Sequence, residues 1–201
     1  MSCLNNSVLG LWFSGRTRHS HCRDASSILT RSTMTLTTHA LVGASAAVLF
    51  PEKPLEAFLV GFASHLAIDS LPHWDYKLHS LERNSNDPLS TDMKFGKDFL
   101  IDLRNTASDS ILGVSLSVLI FSVFIFQAPA FTVLIAAGAG ILPDFLQFVY
   151  FKTRSKLLEP LQKFHIWLQK GRSLNVSGMV GISWQVLLVL LVIVGLKVFR
   201  G

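Results

Sequence analysis

From residue 34 onward the chain alternates between long apolar runs and short polar breaks. Five apolar segments stand out, at 37–50, 55–71, 109–127, 130–142 and 179–199. The last, MVGISWQVLLVLLVIVGLKVF, carries no charge until Lys197 and is long enough to span about 30 Å of hydrocarbon. PEKP (51–54) separates the first segment from the second, and Ala128-Pro129 separates the third from the fourth. Proline breaks a helix at these points, so each pair reads as a tight helical hairpin. At 1.5 Å per residue, segments 37–50 and 130–142 reach only about 20 Å, so they either span poorly or are re-entrant and shielded by the others. The expected fold class is all-α, a polytopic membrane helical bundle of about four to five apolar helices, two hairpins plus a C-terminal helix. Stretches 73–108 and 143–178 are expected as polar loops.

Composition supports this reading. Of 201 residues half are apolar and only 15% charged, against about 25% in an ordinary soluble domain. One membrane domain, 34–201, fits the length. Residues 1–33 differ from the rest: they hold Arg16, Arg18, Arg23 and Arg31, seven serines and a single acid, Asp24. They read either as a transit peptide or as a start assigned too early, with Met34 the first residue; the second reading is favoured, and disorder is expected either way. Cys3 and Cys22 both precede Met34 and form no CxxC pair, so disulfides and thiolate metal sites are not expected.

Counting crossings places both long polar loops on one side, whether the short segments span or only dip in. That side then carries eleven Lys and Arg, from Lys77 to Arg172, and the other only Lys53, Lys197 and Arg200. The positive-inside rule makes the first side cytoplasmic. The net charge of +5 therefore reflects topology; with no basic stripe on a soluble face, nucleic acid is not an expected partner, whereas the lipid bilayer is. A faint echo, HALVGAS (39–45) against DSILGVS (109–115), pairs His39 with Asp109 and, by the Leu-Pro closures, His73 with Asp144.

The chemistry lies in SHLAIDSLPHWDY (64–76). An ionisable group inside a membrane costs several kcal/mol unless it finds a partner. His65 and Asp69 are four apart and share a helix face, as two metal ligands or a His–Asp hydrogen bond require. Pro72 disfavours helix at Leu71, which sets His73 and Asp75 in the turn beyond, with His65 about 10 Å below the surface. His39 opens the first segment, Asp109 the third, and Asp144 follows the fourth. All fall on or just beneath the same side. His165 joins them there from LEPLQKFHIWLQK (158–170), an amphipathic stretch suited to lie in the interface or fold over the site. The candidate metal ligands are His39, His65, Asp69, His73, Asp75, Asp109, Asp144 and His165. Each also has an ordinary structural reading; Asp109, for instance, is placed to cap a helix. His79 reads as a solvated loop residue, Asp98 and Asp102 as part of a charged surface helix, and Trp74, Tyr76, Tyr150 and Trp167 as headgroup-level aromatics. Imidazole plus carboxylate without thiolate suits zinc, manganese or iron rather than magnesium. A site with two or three such ions activates water and clamps a phosphoester.

TTHALVGAS, GFASHLAIDSLPHWDY and GAGILPDFLQF resemble the bacterial inner-membrane-associated, metal-dependent hydrolases, and more distantly the zinc-dependent phospholipase C pattern. The resemblance covers about 34–170. It implies a bacterial inner membrane and metal binding through His39, His65, Asp69 and Asp144, with His73. The block order differs here, no HRxxTHS segment is present, and Gln169 stands where an FHxxxH pattern would place a second histidine. The expected function is a membrane-bound metal-dependent hydrolase of phosphoester or lipid-type substrates at the cytoplasmic face, with His73 as ligand or as catalytic acid and base. The alternatives are a non-catalytic membrane protein with a structural metal or polar cluster, and an ion carrier.

Overall fold

A computed structural model describes residues 35–71, 78–84, 87–169 and 178–200. The expectations for residues 1–33 and for His73, Trp74, Asp75 and Tyr76 lie outside the described residues. Among the described residues seven α-helices run in the order α1 (Leu36–Ala44), α2 (Ala46–Leu49), α3 (Pro54–Asp69), α4 (Lys97–Ser117), α5 (Ala130–Thr153), α6 (Glu159–Gln169) and α7 (Gly178–Arg200). Between α3 and α4 lies a two-stranded antiparallel hairpin, β1 (Leu81–Glu82) and β2 (Asp92–Met93), with Leu81 opposite Met93. The hairpin is a small addition to the expected all-α fold. Among the described residues three helices are long and apolar enough to cross a membrane: α4 with the π-helical turns that continue it, Lys97–Phe124, then α5 and α7. Their outward faces carry large apolar side chains such as Ile111, Phe124, Phe131, Leu190 and Phe199, the surface lipid requires.

The apolar segments match the helices in place but not always in length. Helix α4 starts at Lys97 rather than at 109. Along it Thr106, Ser110 and Ser117 return their hydroxyls to the carbonyls of Asp102, Thr106 and Gly113 at 2.8–2.9 Å, which satisfies these side chains within the helix. Helix α5 runs straight through Pro143 to Thr153, so the expected break and the loop starting at 143 are not found. A buried proline removes one ladder bond, and packed neighbours make that loss tolerable. Segment 130–142 therefore belongs to a 24-residue helix of spanning length, whereas Leu36–Leu49 remains short.

The expected loops instead form a cap at one end. Arg154, at φ 51 in the left-handed region, ends α5 and donates to the carbonyls of Leu89 and Thr91 at 2.5 and 2.8 Å. Lys152 donates to Asp92 Oδ1 at 3.0 Å and to the Met93 carbonyl. Tyr150, expected among headgroups, is buried with Met93 and Phe151 beneath this hairpin. Asp102, expected on a surface, is also buried: Ser80 donates to its Oδ2 from both N–H, at 2.8 Å, and Oγ, at 2.7 Å. Asp98 is exposed, and His79 is 58% exposed, 3.4 Å from Asp102.

Helix α1 is the centre of the packing, against α3, α4, α5 and α7. Small residues let the backbones approach closely, as in membrane helix pairs. A Cβ on Gly61 would lie 2.6 Å from the Ala136 carbonyl, and one on Gly43 2.9 Å from the Gly140 Cα. A Cβ on Gly140 would collide with the His39 carbonyl. Ala40, Ala44, Ala47, Phe121, Val133 and Ala137 fill the interior. Thr132 bonds the Pro51 carbonyl at 2.8 Å and Arg200 the Phe126 carbonyl at 3.3 Å, both at the hairpin-turn end. At the opposite end Gln185 of α7 accepts from Thr35 and Thr38 at 2.5 and 3.0 Å.

Candidate metal centre

That opposite end collects the polar side chains. His39 comes from the start of α1, His65 and Asp69 from the last turns of α3, Asp144 from the turn of α5 after Pro143, and His165 with Gln169 from α6. The i,i+4 spacing aims His65 and Asp69 the same way, and the close α1–α5 approach at Gly140 brings His39 alongside them.

Pro143 lacks the N–H that would bond the carbonyl of Ala139. One residue on, the Gly140 carbonyl accepts from His65 Nδ1 at 2.7 Å. A carbonyl only accepts, so in the neutral ring Nδ1 carries the proton and the Nε2 lone pair faces the cluster. Around His65 Nε2 stand Asp69 Oδ2 at 3.5 Å, Asp144 Oδ1 at 3.6 Å and His165 Nε2 at 3.4 Å. His165 Nε2 lies 2.5 Å from Asp69 Oδ2 and 3.8 Å from Asp144 Oδ1. On the other side of Asp69, His39 Nε2 is 3.3 Å from Oδ1, and the His39 ring stacks on His65 at 3.9 Å between centroids.

One ligand atom from each of His65, Asp69, Asp144 and His165 lies within 4.8 Å of all the others, so this group can hold a metal ion. The spacing fits one. Ligand atoms at about 2.0–2.2 Å from a tetrahedral ion stand about 3.3–3.6 Å from one another, and three of the contacts around His65 fall at 3.4, 3.5 and 3.6 Å. The contact between His165 and Asp69, at 2.5 Å, is a hydrogen bond and would open by about 1 Å around an ion. The hydrogen-bond inventory points the same way. Asp69 Oδ1, both oxygens of Asp144 and both ring nitrogens of His39 are buried without a hydrogen-bond partner among the described residues. Unpaired buried acceptors on carboxylates are costly, and a cation satisfies several at once.

Of the sequence candidates, the structure unites His39, His65, Asp69, Asp144 and His165. Asp109 stands elsewhere. It lies inside α4 and closes the N-terminus of α1, accepting from Leu36 N–H at 2.6 Å, Thr37 N–H at 3.4 Å and Thr37 Oγ1 at 2.6 Å. It was expected to cap the helix it opens; it caps α1 instead. Gln169 adds a contact not counted among the candidates: its amide donates to Asp69 Oδ2 at 2.8 Å and sits 3.0 Å from His165 Nε2. Its position four after His165, on the same helix face, is the signal for it. Comparison with protein-family models, curated proteins and solved structures returns no match to this chain.

Proposed function

We propose that the protein is a membrane-bound metal-dependent hydrolase acting on phosphoester or lipid-type substrates, with zinc the preferred ion and manganese or iron the alternatives. The single observation that carries the reading is the surplus of buried acceptors, two carboxylates and an oriented imidazole, converging from α3 and α5 at ion-pair spacing, with His165 of α6 beside them. Imidazole donors favour zinc over magnesium. The motif resemblance supplies the hydrolase class and the bacterial inner membrane. In the membrane α4, α5 and α7 span, α1 to α3 form a re-entrant hairpin, and the positive-inside rule sets the cluster on the cytoplasmic side.

A divalent ion bound here supplies Lewis acidity toward a water and a phosphoryl oxygen. The chain supplies orientation. The Gly140 carbonyl fixes the His65 tautomer, and Gln169 steadies Asp69 and His165. Asp69 offers one oxygen to each side, with Oδ1 toward His39 and Oδ2 toward His65 and His165. His39, whose Nε2 lies 3.3 Å from Asp69 Oδ1, is placed to hold or pass a proton beside Asp69. His73, four residues beyond Asp69, keeps its expected role as ligand or as acid and base.

The test is elemental mass spectrometry on the full chain in detergent, wild type beside His65→Ala/Asp69→Ala, followed by phosphodiester and phospholipid turnover. One or more equivalents of zinc, manganese or iron, absent from the double variant, are expected. A wild type that holds no metal even when supplied with it overturns the reading. A metal-loaded protein with no turnover leaves the non-catalytic alternative, which Gln169 favours as an amide where a further imidazole would complete the site. An ion carrier has less support, because the described interior below the cluster is built of Ala40, Ala44, Ala47, Val133 and Ala137.

A further inference from the structure

Helix α6 is inverted in polarity. Its inward face carries Gln162, His165 and Leu168, all buried. Its outward face carries Pro160, Phe164 and Trp167, and Leu157 extends the same stripe from the turn leading in, at intervals of three, four and three residues. Leu157 is 87% exposed, Trp167 62% and Phe164 45%, and the last two rings stack at 5.8 Å. A helix whose outer side faces water shows the opposite arrangement. Polar side chains turned in and aromatics turned out are what a helix shows when its outer neighbour is apolar.

The position of α6 identifies that neighbour. The helix starts six residues after α5 ends at Thr153 and stops nine before α7 begins at Gly178. Both flanking helices are of membrane-crossing length, so α6 is tethered at the membrane surface. Its charged outer groups are Lys156 and the Glu159–Lys163 pair, at 2.6 Å, all at its rim. Tryptophan and phenylalanine beside a charged rim suit the headgroup–acyl boundary.

We propose that the Leu157–Pro160–Phe164–Trp167 face of α6 docks into the bilayer interface, and that this docking presses His165 and Gln169 onto Asp69 beneath. The lipid surface then acts as the outer wall of the metal centre, and α6 is the element through which bilayer contact sets the geometry of that centre. The inference rests on the membrane placement proposed above and not on the identity or presence of the metal.

The experiment uses the full chain in nanodiscs of zwitterionic and anionic phospholipid. Tryptophan emission specific to Trp167, taken as the difference from Trp167→Phe, is quenched by lipids brominated at shallow or deep acyl positions, or by aqueous iodide. Shallow bromine is expected to quench at least twofold more than deep bromine, with iodide weak. Strong iodide quenching with little from lipid means a water-facing helix and overturns the proposal. Quenching by neither means that a protein, a second copy included, covers the face, which also overturns it. Trp184 of α7 is the internal control: if lipid does not quench it either, the membrane placement has failed rather than the docking. Amide hydrogen exchange over 159–169 reads the clamping. Phe164→Ser/Trp167→Ser is expected to speed it severalfold, and an unchanged rate overturns the coupling. A metal-free wild type sinks the hydrolase reading and leaves both readouts intact.

Discussion

Replacing Asp109 by alanine separates a capping carboxylate from a metal ligand. In the structure this side chain reaches from α4 to the first turn of α1, where N–H groups have no intrahelical partner. It accepts strongly from Leu36 N–H and Thr37 Oγ1, both at 2.6 Å, and weakly from Thr37 N–H at 3.4 Å. A hydrogen bond to a charged acceptor contributes about 1.5–3 kcal/mol. The site is only half-buried, so water recovers part of two such bonds, and Asp109→Ala is expected to cost about 2–3 kcal/mol. For a chain of this size that lowers the melting temperature by roughly 5–10 °C. Asp109→Asn keeps one acceptor and should cost about half as much. The assay is thermal unfolding in detergent followed by intrinsic fluorescence, with metal content measured on the same samples. Metal content should remain near wild type in both variants. An unchanged melting temperature with metal lost would refute the capping assignment and return Asp109 to the ligand set.

Three further substitutions probe other parts of the same argument. Gly140→Ala places a Cβ against the His39 carbonyl and 3.2 Å from the Gly43 Cα; overpacking of this kind costs about 1–3 kcal/mol, and both the melting temperature and metal content should fall. Gln169→Ala removes the amide beside Asp69 and His165, and competition with a chromogenic chelator should show metal affinity weakened on the order of tenfold. Lys152→Met cuts the tie to the β-hairpin. The Lys152 hydrogen bond holds the Asp92 carboxyl below its usual range, so its contribution is full above about pH 4 and is lost as pH falls through the lowered value. The stability gap between wild type and Lys152→Met, read from unfolding curves at a series of pH values, should therefore be constant above about pH 4 and narrow below it, the bond to the Met93 carbonyl remaining.

The features legible in the sequence are those governed by local chemistry. Apolar runs located α1, α3 and α7 within a few residues, and the start of α5, because burying or exposing a run to lipid depends on its own composition. The spacing of His65 and Asp69 put both on one helix face for the same reason. The misreadings share a cause. Pro143 was expected to end a helix, which is its behaviour in isolation, but buried within packed helices the lost bond is tolerated. Asp102 and Tyr150 read as surface residues, but Ser80 binds the first and the hairpin, distant in the chain, covers the second. Asp109 looked like His39's counterpart, yet it bonds Leu36 and Thr37, more than seventy positions away.

The sequence by itself determined which groups are able to ligate, that α7 carries enough apolar length to cross a membrane, and that His65 and Asp69 point together. Only the tertiary structure decided that α6 folds back to set His165 beside Asp69, 96 residues distant, that the Gly140 carbonyl orients His65, and that Asp144 joins the cluster while Asp109 does not. The physical reason is that a side chain's type and helical phase are properties of its neighbours along the chain. The partner that satisfies a buried charge is supplied by whichever helix packs across from it, and here close contact at Gly43, Gly61 and Gly140 selects that helix.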